Sequence, residues 1–178
     1  MKRTVWLVTF LLTFFIQTAY AESKEVLNIK IYETIKMFDK EVKGGTEFLN
    51  RAKGYLVFPS VYKAGFGIGG EYGEGGLIVN NKIIDYYRTV TASIGFQIGA
   101  QKKSIIIVFL TQRALDEFRN SDGWKVGVDG SVAIVKWGVG EEINSIEFNK
   151  PIIGFIFGNK GLMYNLTLEG SKITKIKK

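Results

Sequence analysis

Histidine and cysteine are absent from this chain of 178 residues, so any chemistry falls to carboxylates, lysines, tyrosines and serines. That removes the Ser-His-Asp triad, thiol nucleophiles, disulfides, iron–sulfur ligation and zinc sites built on His or Cys. Carboxylate acid–base chemistry and an oxygen-ligated hard metal are what is left. The acids in suggestive places are Glu71 and Glu74 in a glycine-rich stretch, then Asp122, Asp129, Glu141 and Glu142. Glycoside chemistry needs two carboxylates about 5–10 Å apart across a cleft. Glu71 and Glu74 are three apart in sequence, so on a strand they point to opposite faces. The spacing therefore supplies no acid–base pair, and the expectation is a non-enzyme with no cofactor and no metal.

The other chemical candidate is the stretch "KAGFGIGGEYGEGG", residues 63–76, which contains a literal G-x-G-x-x-G at Gly65, Gly67 and Gly70. A phosphate-cradling loop must follow a strand and open a helix, whose N-terminus then faces the phosphates. Here more glycines follow, at 73, 75 and 76, and such sequence is a poor helix former. No G-K-[ST] closes the run either, so neither nucleotide nor nucleic acid is expected as a partner. Period two fits better. Phe66, Ile68 and Tyr72 share one face, while Gly65, Gly67, Gly69, Glu71 and Gly73 share the other. A strand with one nearly bare face can bend sharply and lets another backbone or ring approach closely.

The elements that must position these residues fall into two regimes. Leu27, Ile31, Ile35, Phe38 and Val42 recur at helical spacing. Ser23 is the expected N-cap and Gly44-Gly45 the stop. The stripe is expected to pack on the domain core rather than lie on a membrane. Thr46 is the expected cap of a second short helix through Lys53. After Gly54 the period becomes two. In "IIDYYRTVTASIGFQIGA" the even positions from Ile84 to Ala100 are apolar, with Arg88 the exception. "WKVGVDGSVAIV" and "LMYNLTLEGSKI" repeat the alternation. "SIIIVFL" (104–110) and "IIGFIF" (152–157) lack a polar face, as strands buried on both sides do. One helix, capped by Thr111, is expected at about 112–120. Turn signals fall at Asn80-Asn81, Lys102-Lys103 and Asn159-Lys160-Gly161. The fold class is α+β: N-terminal amphipathic helices packed on a largely antiparallel, strongly curved sheet, barrel- or sandwich-like.

At the N-terminus, Lys2 and Arg3 precede an apolar run from Val5 to Ile16 and an Ala19-Tyr20-Ala21 site. This is the pattern of a secretory leader cleaved after Ala21, and the run is short of the ~20 residues that span a bilayer. Residues 1–21 are thus expected to be lost, leaving 22–178 as a single exported domain, periplasmic in a Gram-negative host. Loss of Lys2 and Arg3 takes the formal charge from +7 to +5.

Three segments carry a family likeness: "AKGYLVFPSVYKAGFGIGGEYGEG" (52–75), "GWKVGVDGSVAIV" (123–135) and "GNKGLMYNLTLEGSKITKI" (158–176), with "TQRALDEFRNSDGW" between the first two. The chain resembles a SYLF domain from roughly residue 30 to 176. That family occurs in exported bacterial proteins and beside SH3 or FYVE modules in eukaryotes. The resemblance implies a non-enzymatic phospholipid-binding domain. Phosphoinositides are the ligands discussed for eukaryotic members, and some members are linked to actin assembly.

The functional expectation is an exported lipid-binding domain that meets anionic phospholipid or a membrane surface through cations. Cations near an anionic surface contribute about 1 kcal/mol each, screened by salt. The candidate lipid-binding residues are the cations beside the glycine-rich and terminal motifs: Lys53, Lys63, Arg88, Lys102, Lys103, Lys160, Lys172 and Lys175. The alternative is an envelope interaction or assembly module that holds a protein partner through exposed strands, Trp124, Trp137 or tyrosines.

Overall fold

A computed structural model of the chain describes residues 22–42, 44–136, 150–161, 168 and 170–178. Helix α1 spans Lys24–Glu41 and α2 Gly45–Arg51. Two long strands follow, β1 (Gly54–Val79) and β2 (Lys82–Phe109), then α3 (Gln112–Asn120). Four shorter strands complete the described chain: β3 (Trp124–Lys125), β4 (Ala133–Lys136), β5 (Ile152–Gly161) and β6 (Lys172–Ile176). Ser23 caps α1 by accepting from the Val26 amide, and Thr111 caps α3 by accepting from that of Ala114. The cap of α2 is Gly44, at φ 81°, and not Thr46, whose hydroxyl turns back to Asp39.

β1 and β2 pair antiparallel from Gly54↔Phe109 to Val79↔Lys82. Asn80 and Asn81, both at positive φ, make the tight turn between them. The other edge of β2 is shared: Tyr86–Val90 pair with β6, and Gln101–Phe109 pair largely with β5. The sheet order is β3-β6-β2-β5-β4, with β1 on the far edge of β2. Among the described strands the pairings are antiparallel except that of β4 with β5. The expected α+β class with a largely antiparallel, strongly curved sheet is what the chain adopts, as a curled half-barrel.

The curl is extreme. A straight strand of 26 residues would run about 86 Å, yet the two ends of β1 lie against each other. A Cβ built on Gly75 would sit 2.1 Å from the Val57 carbonyl oxygen, and one on Gly73 would sit 2.9 Å from that of Ser60. Register shifts at Phe58/Val61, Phe66/Ile68 and Leu77/Ile78 mark where the ladder yields.

Two apolar layers clothe the sheet. Inside the curl, Leu56, Phe58, Val61, Ile105 and Phe109 meet Leu115 and Phe118 of α3, with Trp124 beside them. Outside, Leu27, Ile31 and Phe38 of α1 and Phe48 of α2 cover Val57, Ile78, Ile106, Phe155 and Phe157. The apolar run 104–110 thus serves both layers. It is continuous with the alternating segment before it, not a separate strand.

Three local expectations fail. Lys102-Lys103 is no turn: the ladder runs through it, opposite Tyr62 and Val61. Asn159-Lys160-Gly161 also stays within β5, the backbone adjusting one residue earlier at Gly158, φ 61°. "WKVGVDGSVAIV" is not one strand. Gly127, at φ 85°, turns the chain, and Asp129 accepts from the Lys125 amide at 2.6 Å. Val128 is left 75% exposed. Most of "LMYNLTLEGSKI" lies outside the described residues.

Gly75→Ala should cost about 3 kcal/mol, because the methyl meets backbone that cannot move without opening the curl. Gly70→Ala should change stability by less than about 0.5 kcal/mol, its methyl standing an ordinary 3.4 Å from the Thr91 oxygen. Urea unfolding of the two variants measures the difference.

Candidate functional site

Halfway along the β1–β2 hairpin the two faces of the sheet carry inverted chemistry. The inner face holds charge. Lys63 and Glu71 of β1 and Lys103 of β2 are all nearly inaccessible, with side-chain exposures of 4%, 4% and 1%. Lys63 Nζ stands 3.2 Å from Glu71 Oε1, and Lys103 Nζ 2.7 Å from Glu71 Oε2. One carboxylate thus bridges two ammonium groups. Gln101, buried beside them, donates its amide to Asn159 of β5, and the Thr91 and Ser171 hydroxyls are 2.7 Å apart. Ser104 donates to the Pro59 carbonyl at 2.9 Å.

The outer face at the same level is exposed. Tyr62 and Lys102 are cross-strand partners, and the ammonium stands 5.9 Å from the ring centroid. Lys102 is also the cross-strand partner of Lys160, so two exposed lysines lie side by side next to an aromatic ring. Further along, Tyr72 pairs with Val90 and Glu74 with Arg88. The Tyr72 hydroxyl donates to Glu74 at 2.7 Å. Burial, then that hydrogen bond, push its phenol up to about 12, so the ring stays neutral.

The eight candidate cations separate accordingly. Lys102 and Lys160 come together on the exposed face, with Arg88 exposed at its other end. Lys63 and Lys103 do not join them: they are turned inward onto Glu71, where a surface ligand cannot reach them. Lys53 is exposed at the foot of the hairpin, its amide donating to the Phe109 carbonyl. Lys175 is tied to Asp85 at 2.6 Å. The stem of Lys172 lies against Gly123 on the opposite strand border. Trp124, expected as an exposed anchor, is 2% exposed in the core, while Trp137 lies outside the described residues.

Among the described residues, the candidate carboxylates have other engagements. Glu71 is committed to two lysines, Glu74 is paired with Lys178 Nζ at 2.5 Å with both side chains nearly buried, and Asp129 caps a turn. Glu141 and Glu142 lie outside the described residues. No group of three potential metal ligands occurs among the described residues. The strand continues beyond the G-x-G-x-x-G to Val79, without the helix that phosphate binding needs.

The residues that sequence missed are Tyr62, Tyr72, Val90 and Ala92. Their signal was the period-two alternation itself. It gave two faces but not which one the curl would enclose.

Residues 90–178, half of the chain, match the family model described as Ysc84, Las17-binding protein actin regulator. No curated protein matches the chain.

Glu71→Gln should destabilise the protein by about 3–5 kcal/mol, since it removes the carboxylate shared by two buried lysines. Thermal unfolding of that variant beside the exposed Glu117→Gln, expected within about 0.5 kcal/mol of the parent, separates the buried cluster from a surface pair.

Proposed function

Because the chain belongs to the Ysc84 (SYLF) family of binding domains, we propose that it is a non-enzymatic module that binds anionic phospholipid at a membrane surface. In this reading the leader, residues 1–21, is removed on export. The mature domain, periplasmic in a Gram-negative host, then attaches peripherally. Among the described residues no helix is long and apolar enough to cross a membrane.

One observation carries the reading: Lys102 and Lys160, side by side on an exposed face with Tyr62. Like charges directly opposite each other on a sheet are mutually destabilising by up to about 1 kcal/mol. An anion laid across both would turn that repulsion into attraction. Tyrosine beside lysine is also the composition of surfaces that rest at a bilayer's headgroup level. The other candidates play different parts: Lys63 and Lys103 hold the fold, and Lys175 is already paired. Arg88 and Lys53 remain as exposed cations that a broad anionic surface can reach.

The family description names a protein-binding regulator, so a protein partner is the competing outcome. Co-flotation of residues 22–178 with neutral and with anionic vesicles, across a salt series, decides between them. Binding should be confined to anionic vesicles and weaken with salt. The exposed double variant Lys102→Glu, Lys160→Glu should float at least about 25-fold less, about fivefold for each cation removed. Absence of flotation on every vesicle would leave the protein-partner reading.

A further inference from the structure

The middle of the β1–β2 hairpin is turned inside out relative to a soluble sheet. Its inner face carries Lys63, Glu71, Gln101 and Lys103, all buried. Its outer face carries Tyr62, Tyr72 and Val90 at 55%, 47% and 44% exposure, with Ala64, Ala92 and Ala100 also exposed between them. The ladder joins Ala64 to Ala100 and Tyr72 to Val90, and between those pairs it joins Phe66 to Ile98 and Ile68 to Ile94. Helices α1 and α2 cover the outer layer at both ends of the hairpin, against Val57, Ile78 and Ile106. Neither helix covers Tyr62, Tyr72 or Val90, which stay exposed.

Apolar-out and polar-in alternation is what strands show where they face lipid. The borders agree. A tyrosine stands at each end of the apolar stretch, Tyr62 and Tyr72, with Lys102 and Lys160 level with one and Arg88 beyond the other. Aromatic rings and cations flanking an apolar band are how a protein seats itself between headgroups and acyl chains. A second copy of the chain fits poorly, because mating this face with itself would bring the Lys102–Lys160 pair into the contact that must close. The inner cluster makes the arrangement durable: with Glu71 clamped to Lys63 and Lys103, the bend cannot roll its charges outward.

We propose that the bent middle of the β1–β2 hairpin inserts its outer face into the headgroup–acyl boundary of a bilayer. This rests on the membrane reading above and adds a mode of attachment to it. Eleven residues separate the two tyrosines inclusively, so the apex projects at most about 16 Å beyond them if bent at its centre. The backbone edges of the hairpin still need water or headgroups, which keeps the insertion shallow, about 5–10 Å. Attachment then has two components: cations that salt screens, and apolar side chains that it does not.

The absence of cysteine makes the test clean, since one introduced thiol is the only one present. An environment-sensitive NBD fluorophore is placed at Ala92→Cys and, in a second protein, at Asn120→Cys at the exposed end of α3. Each is mixed with vesicles of phosphatidylcholine and phosphatidylglycerol, and flotation is followed on the same samples. Residues 22–178, which hold every described contact, and the whole chain are both used.

The label at 92 should shift to the blue, brighten several-fold and be quenched by lipids with a shallow spin label, while that at 120 stays aqueous. At about 1 M salt, where the Debye length is about 3 Å, binding should persist in part. Ala92→Asp should lower that residual binding about tenfold, by placing a charge on the lipid-facing side. Flotation with an aqueous label at 92 would overturn insertion and leave surface attachment standing. No flotation and an aqueous label would overturn both. A blue shift that follows protein concentration without vesicles would assign the face to a second copy instead.

Discussion

The carboxylate of Glu71, held between Lys63 and Lys103, is the contact on which the shape of this protein turns. Lys63 and Glu71 are eight residues apart on one strand and on one face of it. In a straight strand they would stand about 26 Å apart. Their charged atoms are 3.2 Å apart, so β1 must double back between them. Two buried cations and an anion are expensive to bring out of water. They are tolerated only because the curl brings all three together, and breaking any one leaves the others stranded. The ion cluster and the bend therefore stand or fall together.

Glycine makes the bend geometrically possible. Gly73 and Gly75 let the second half of β1 lie against the backbone of the first, at distances no side chain would permit. At Gly73 and Gly75 the bare face is thus filled by the strand's own other end, with the ion cluster beside it at Glu71. Enclosing the polar face has an unavoidable consequence: the alternate residues, Tyr62, Tyr72, Val90 and Ala92, are placed outside. The buried stripe of α1 is taken up by Val57, Ile78 and the phenylalanines of β5, and it does not cover them. Binding chemistry then arises from the same parity that builds the fold. The cations Lys102 and Lys160 and the apolar stripe share one surface because Lys103 and Gln101 share the other.

Much of this was legible in the sequence because it rests on local rules. Ser23 and Thr111 announced their helices. The stripe from Leu27 to Val42 announced a buried face, and Asn80-Asn81 announced the hairpin. The glycine stretch was legible as a strand rather than a nucleotide loop, since no helix could follow it. What was not legible came from contacts distant in sequence. Lys102-Lys103 carries the composition of a turn, and only a carboxylate 32 residues earlier, Glu71, makes it a strand interior. Lys63 and Lys103 looked like surface cations for the same reason. Alternation in 84–100 revealed two faces, but an apolar face is ordinarily the buried one. Nothing local says that the curl encloses the other. The break at Gly127 hid inside apparent alternation, since Val128 kept the period while leaving the core.

The claim at the centre is the inverted polarity of the hairpin, and thiol reactivity along one short stretch tests it most directly. Single cysteines at residues 100 to 103, each in the otherwise cysteine-free chain, are titrated with a water-soluble maleimide, free and with anionic vesicles. Cysteines at 100 and 102 should react fast in the free protein and those at 101 and 103 slowly, with vesicles protecting the fast pair. Reactivity that does not alternate, or that is fastest at 101 and 103, would contradict the account, because the charged face would then be the one that meets water.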